Sequence, residues 1–194
     1  MAAHDHDVPP GQSEVPRGLT ERLNALRRAG FGVLEHDSHV PFLSHLLGTR
    51  RVLANWGERP AMCDAGLFHS VYGTEYFTPT STPSRAEVAA LVGEEAEELA
   101  HLWCVIERRS IGGDAPFEVR LRHDGSVHAL SAQTVADLVT LWAADTEEQI
   151  ARMTADERGF ADGLRAVLHL ARPQAQVVLR LLGGSSSHSQ SAAG

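Results

Sequence analysis

Ala65-Gly66-Leu67-Phe68-His69-Ser70-Val71-Tyr72-Gly73-Thr74-Glu75 is the stretch on which the reading of this chain turns. It sets a His-Ser pair, a tyrosine and a Gly-Thr-Glu turn against an apolar run, a combination that solvent loops rarely carry. Immediately upstream, Ala61, Met62 and Cys63 extend the apolar run. The pattern predicts a helix from about Pro60 to Val71, apolar all round and therefore buried. His69 and Ser70 close it, either inside the protein or at the floor of a cleft. His69 is then either a ligand or a hydrogen-bonded core histidine.

Composition bounds the alternatives. A chain of 194 residues, 43% of them hydrophobic, is enough for one domain with a real core. Aromatics are sparse at 6%, so aliphatic side chains and alanine must fill that core. A formal charge of -8 argues against a nucleic-acid binder, which would show a basic face. It leaves room for a small anionic ligand held by a few local arginines. Cys63 and Cys104 sit in apolar helical contexts and read as buried free thiols. Without a CxxC pattern a zinc-thiolate site is not expected. The N-terminus lacks a signal-type apolar core, and no stretch has the length of a membrane span. The expectation is a cytoplasmic protein without membrane partners, monomeric or homodimeric, that takes a small-molecule ligand. The Arg-, Ala- and Gly-rich usage is that of a high-GC bacterial genome.

Outward from the central stretch, the chain reads as an all-α domain over residues 18–182, flanked by disordered tails at 1–17 and 183–194. His4-Asp5-His6 in the first tail could bind a metal loosely or simply be solvated. Leu19, Leu23 and Leu26 share a face of a helix that ends at Gly30. Residues 31–39 read as a connector. A helix from near Pro41 to Gly57 carries the stripe Phe42, Leu46, Leu53 and Trp56, with His45 at its border. Ser84-Arg85-Ala86-Glu87 is a capping box opening a short helix to Gly93. Glu94 to Ile106 is a further helix, acidic at its N-terminal end as the dipole prefers. Phe117, Val119 and Leu121 then alternate with charged residues, and Asp124-Gly125 turns the chain back through Val127–Leu130, a small peripheral β-hairpin. Ser131 caps a helix reaching about Met153, with Val135, Leu138, Val139 and Trp142 inward. A last helix is expected from Ala155 to Leu170, with a second segment at Gln174–Leu182.

Asp145 falls on the apolar stripe of the helix that Ser131 caps, where a carboxylate is costly unless paired or metal-bound. His45, His69 and Asp145 therefore face inward from three separate helices. Two imidazoles and a carboxylate are a competent donor set for a divalent metal, and equally a set that hydrogen bonds alone could satisfy.

The segment from His45 to Asp145 resembles the HD-domain superfamily of helical metal-dependent phosphohydrolases, most closely the hydrolase domain of RelA/SpoT-type alarmone synthetase/hydrolases. His45-Leu46-Leu47-Gly48-Thr49-Arg50-Arg51-Val52-Leu53 is similar to that family's first His run. Ala65-Gly66-Leu67-Phe68-His69-Ser70 stands where the family has an apolar run ending in His-Asp. Val92-Gly93-Glu94-Glu95-Ala96-Glu97 resembles its Phe-Gly-Glu-Glu-Val-Ala, and Trp142-Ala143-Ala144-Asp145 its final Leu-Ala-Asp. The string Ala-Gly-Leu-Phe-His-Ser-x-Tyr-Gly-Thr is also similar to an uncharacterised bacterial branch, a domain of unknown function. The resemblance implies His45, His69 and Asp145 as metal ligands. Two departures stand out: the family's His-Asp is His69-Ser70, and its Glu-Asp catalytic pair falls near Gly73-Thr74, with Glu75 one residue on.

Three functions follow as expectations. The first is a metal-dependent hydrolase of a small phosphorylated or nucleotide-like metabolite, using Mn or Fe. In it Tyr72 or Glu75 moves a proton, and Arg50 (or Arg51) and Ser70 meet the substrate. Against this, the arginines could be a solvated helix face and Tyr72 a core phenol. The second is a mononuclear-iron oxygenase or tailoring enzyme on the same scaffold. The third is a metal-free binding or structural domain, in which the three residues form a buried hydrogen-bond network.

Overall fold

The computed structural model describes residues 17–32, 35–36, 40–75, 77–79, 81–112, 114–152 and 161–178. The expected tails lie outside the described residues, except Arg17, which opens the first helix. Within the described residues the chain is all-α with small two-stranded antiparallel sheets at the side.

Helix α1 (Arg17–Arg28) ends as expected at Gly30, whose φ of 96° is open to glycine, and Phe31 donates its backbone N–H back to Leu26. The segment expected to be a plain connector contains a two-residue strand pair, β1 (Glu35–His36) against β2 (Val40–Pro41). Strands this short carry no readable alternation. Pro41 then serves as the N-cap of α2 (Phe42–Asn55), and α3 (Pro60–Phe68) begins with proline inside its first turn. The helix stops at Phe68 rather than Val71, so His69 is its C-cap and Ser70–Gly73 is a turn.

The capping box at Ser84 and Glu87 is formed in both directions and opens α4 (Arg85–Val92). Gly93, at φ 87°, lets α5 (Glu94–Val105) start immediately afterwards. The hairpin expected around Asp124-Gly125 is β3 (Glu118–Arg120) paired with β4 (Val127–Ala129). Ser131 caps α6 (Ala132–Ile150) by accepting from the Thr134 N–H. The C-terminal part departs from the expected helix over Ala155–Leu170 with a second segment at Gln174–Leu182, of which residues 179–182 lie outside the described residues. Residues 153–160 lie outside the described residues. α7 (Asp162–Val167) is short and is followed by 3-10 turns at Leu168–Leu170 and Pro173–Val177.

Helix α2 packs along both α3 and α6, and α3 also packs on α5. This arrangement divides the core in two. One part gathers Leu53, Met62, Trp103, Leu138 and Trp142, and the other Leu26, Phe31, Phe42, Leu46 and Phe68. Each of these side chains is essentially removed from water, and such burial contributes about 1.5–3 kcal/mol per large apolar side chain. Gly66 brings α2 and α3 close, since a Cβ there would stand 2.5 Å from Leu53 Cδ1. No described helix is long and apolar enough to cross a membrane.

Candidate metal centre

The helices that the packing draws together carry the three candidate ligands to one point. His45 lies one turn into α2, His69 caps α3, and Asp145 sits in the C-terminal half of α6. Their relative exposures are 1%, 2% and 3%, so all three are interior. His45 Nε2 is 3.2 Å from His69 Nε2 and 3.2 Å from Asp145 Oδ1, and His69 Nε2 is 3.4 Å from the same oxygen. Ligands bound at roughly 2.0–2.2 Å and separated by right to tetrahedral angles stand about 2.8–3.6 Å apart. The three atoms therefore have the mutual spacing of one face of a mononuclear coordination shell, and this group could hold a metal ion.

Hydrogen bonds on the far side of each ring determine which atoms point inward. The Gly66 carbonyl can only accept, so the 2.7 Å contact places a proton on His69 Nδ1. Glu148 Oε2 lies 2.5 Å from His45 Nδ1 and likewise accepts a hydrogen bond from it. With Nδ1 so occupied, each ring turns its Nε2 toward Asp145. Three lone pairs meeting in a dry interior need a cation among them, either a metal ion or a proton.

The electrostatics agree. Burial alone would lower the His45 pKa, but the hydrogen bonds and charges of Asp145 and Glu148 outweigh it and raise it to about 9. Burial alone would raise the Asp145 carboxyl. The two imidazoles prevail and hold it well below the usual carboxylate range. Asp145 Oδ1 also accepts from Gln149 Nε2 at 2.7 Å, and Arg152 donates to Glu148 Oε2 at 2.6 Å. Beneath His69, the Cys104 thiol donates to the His69 carbonyl at 3.1 Å. Burial pushes that thiol up to about 12, so it stays protonated. Both cysteines are free and buried, as their contexts predicted.

Tyr72, Glu75 and Arg50, also candidates from the sequence, are held by other partners. The Tyr72 hydroxyl donates to Glu97 at 2.9 Å, and burial, with that carboxylate, raises its pKa. Glu75 accepts from Arg108, through the backbone N–H at 3.2 Å and the guanidinium at 3.3 Å. That guanidinium lies over the Trp103 ring, which in turn meets His69 edge to face. Arg50 lies beside Asp64, which also pairs with Arg22. Arg51 is exposed, and Ser70 is buried next to His69. The inward grouping of His45, His69 and Asp145 was legible from helical spacing. Glu148 was not, because in Asp145-Thr146-Glu147-Glu148 it reads as part of a solvated acidic patch. The one signal that could have found it is its i, i+3 spacing from Asp145.

A family model described as "Domain of unknown function (DUF6817)" matches residues 25–108. The match takes in His45 and His69 and ends before Asp145. No curated protein and no solved structure matches the chain.

Proposed function

We propose that this chain is a divergent HD-like metal-dependent hydrolase of a small phosphorylated or nucleotide-like metabolite. His45, His69 and Asp145 would hold one divalent ion, Mn or Fe. The observation that carries this reading is the convergence of the three donor atoms, with the Nδ1 of each histidine turned to an outer acceptor. A bound ion supplies Lewis acidity for the activation of water. The chain's residues supply the rest: Asp145 the charge, His45 and His69 the neutral donors, and the apolar surroundings the exclusion of bulk solvent. Ser70 replaces a carboxylate with a hydroxyl, which points to a single ion.

A second reading is supported by the same geometry. With a proton on Nε2, His45 can bridge Glu148 and Asp145 as an imidazolium, which satisfies the cluster without metal. The chain would then be a metal-free binding or structural domain.

The test is the metal content of protein purified without a histidine tag, beside His69→Ala. About one Mn or Fe per chain, lost in His69→Ala, supports the first reading. Sub-stoichiometric metal unchanged by the substitution overturns it in favour of the second. Stoichiometric Fe with oxygen-dependent turnover would transfer the site to an oxygenase or tailoring reaction.

A further inference from the structure

We propose that Glu148 is a positioning residue of the metal site, admitted by the missing side chain of Gly48, that holds His45 in its binding tautomer and supplies the second negative charge. The inference rests on the metal reading above. Glu148 follows Asp145 by three positions on α6, so the two carboxylates leave the helix on one side. They address opposite ends of the same imidazole. Asp145 Oδ1 lies 3.2 Å from Nε2 and Glu148 Oε2 lies 2.5 Å from Nδ1.

The approach requires glycine at position 48. A Cβ there would stand 2.5 Å from Glu148 Cγ, 2.8 Å from Oε1 and 2.9 Å from Cδ. Glycine inside a helix costs about 1 kcal/mol relative to alanine, so its place in the middle of α2 calls for a packing reason. Here the reason is the carboxylate lying across it. Arg152, one turn beyond Glu148, donates to the same oxygen and aligns it from the solvent side.

The arrangement also answers the charge question raised by Ser70. A dication at the three ligands would meet one carboxylate directly and a second through the His45 ring. A carboxylate on the outer nitrogen fixes ring orientation and raises donor basicity, and its loss weakens metal binding about 10- to 100-fold.

The experiment is calorimetric titration of demetallated full-length protein with Mn(II), and with Fe(II) under anaerobic conditions. Wild type should bind one ion. Glu148→Ala and Gly48→Ala should each weaken binding about 10- to 100-fold. The double variant should be no weaker than the worse single, because both changes remove one contact. Glu148→Gln, which keeps an acceptor without the charge, should fall between, and it carries the test should Glu148→Ala fold poorly. Nitrogen-15 spectra of the metal-free protein at about pH 10, where the His45 ring is neutral, give a readout that general loosening would not mimic. His45 should lose its Nδ1–H preference in Glu148→Ala while His69, held by the Gly66 carbonyl, keeps its own. Wild-type affinity in Glu148→Ala and Gly48→Ala, or losses that add, would overturn the positioning role alone. Absence of binding by wild type would overturn the metal reading and this role together.

Discussion

Arg59 grips Asp137 with both arms of its guanidinium, Nη1 to Oδ1 at 3.1 Å and Nη2 to Oδ2 at 2.6 Å, so the start of α3 is tied to α6. Arg172 and Gln133 donate to Oδ1 of the same carboxylate, which is 3% exposed. Removing the acceptor leaves Arg59 and Arg172 only their second partners, Glu95 and Glu58, with each guanidinium about one-third exposed. Asp137→Ala should cost about 1–3 kcal/mol, read as the loss in denaturant unfolding. Arg59→Lys should also destabilise, because a lysine cannot reproduce the paired geometry.

Asp137 also sets an acid limit. Burial alone would raise its pKa, but the hydrogen bonds from Arg59, Arg172 and Gln133 lower it below the ordinary value of 3.8. A carboxyl depressed in the folded state stabilises above its unfolded pKa, and that contribution disappears as pH falls through the folded one. Thermal melts of wild type should therefore show a fall in stability below about pH 4 that is diminished in Asp137→Asn.

The candidate metal site should show the opposite sign. His45 is raised to about 9, so in metal-free protein its contribution is complete below about 6.5 and is lost as pH rises through about 9. Metal must displace that proton. Affinity for Mn(II) should rise about tenfold per pH unit between roughly 7 and 9 and then level off. A calorimetric series in buffers of different ionisation enthalpy would count the proton released.

On the proposed metal reading, a bound ion should also stabilise the fold. At a free concentration of 100 times Kd, a bound ion adds about 2.7 kcal/mol. A melt with and without chelator should show a downward shift in wild type and none in His69→Ala or His45→Ala.

Gly163 offers a packing test away from the site. A Cβ there would lie 2.8 Å from the outer edge of the Trp142 indole, a rigid group with Trp103 packed beside it. Gly163→Ala should gain about 1 kcal/mol of helix propensity and lose about 1–3 kcal/mol to overpacking. A net loss of stability that vanishes in a Trp142→Phe background would locate the cost at that contact.

What could be read from sequence and what could not divide along physical lines. The stripe Phe42, Leu46 and Leu53, the Ser84–Glu87 box and the Asp124-Gly125 turn are local signals, and each element stands where they indicated. The inward placement of His45, His69 and Asp145 followed from helical periodicity, because a polar residue on an apolar stripe is conspicuous. Expectation ran past the observed end of α3 because Ser70 and Val71 look compatible with one more turn, whereas the chain tightens there before Gly73 at φ 86°. The pairing of Glu35–His36 with Val40–Pro41 was invisible in strands of two residues each. Glu148 against Gly48 is a contact between helices far apart in sequence, and its one local hint is the i, i+3 spacing of Glu148 from Asp145.

The Cys104 thiol that donates to the His69 carbonyl gives the protein an internal clock. A thiol held protonated and shut away from water reacts with a disulfide reagent only while the structure around it is open. Its labelling rate therefore times the opening of α5 beneath the turn that carries His69. Cys63 in α3, whose thiol lies near the Glu58 carbonyl on the opposite end of that helix, times a second place. Comparing the two rates tells whether the helix end bearing His69 breathes by itself or only when the whole domain comes apart, with no foreign probe added to the chain.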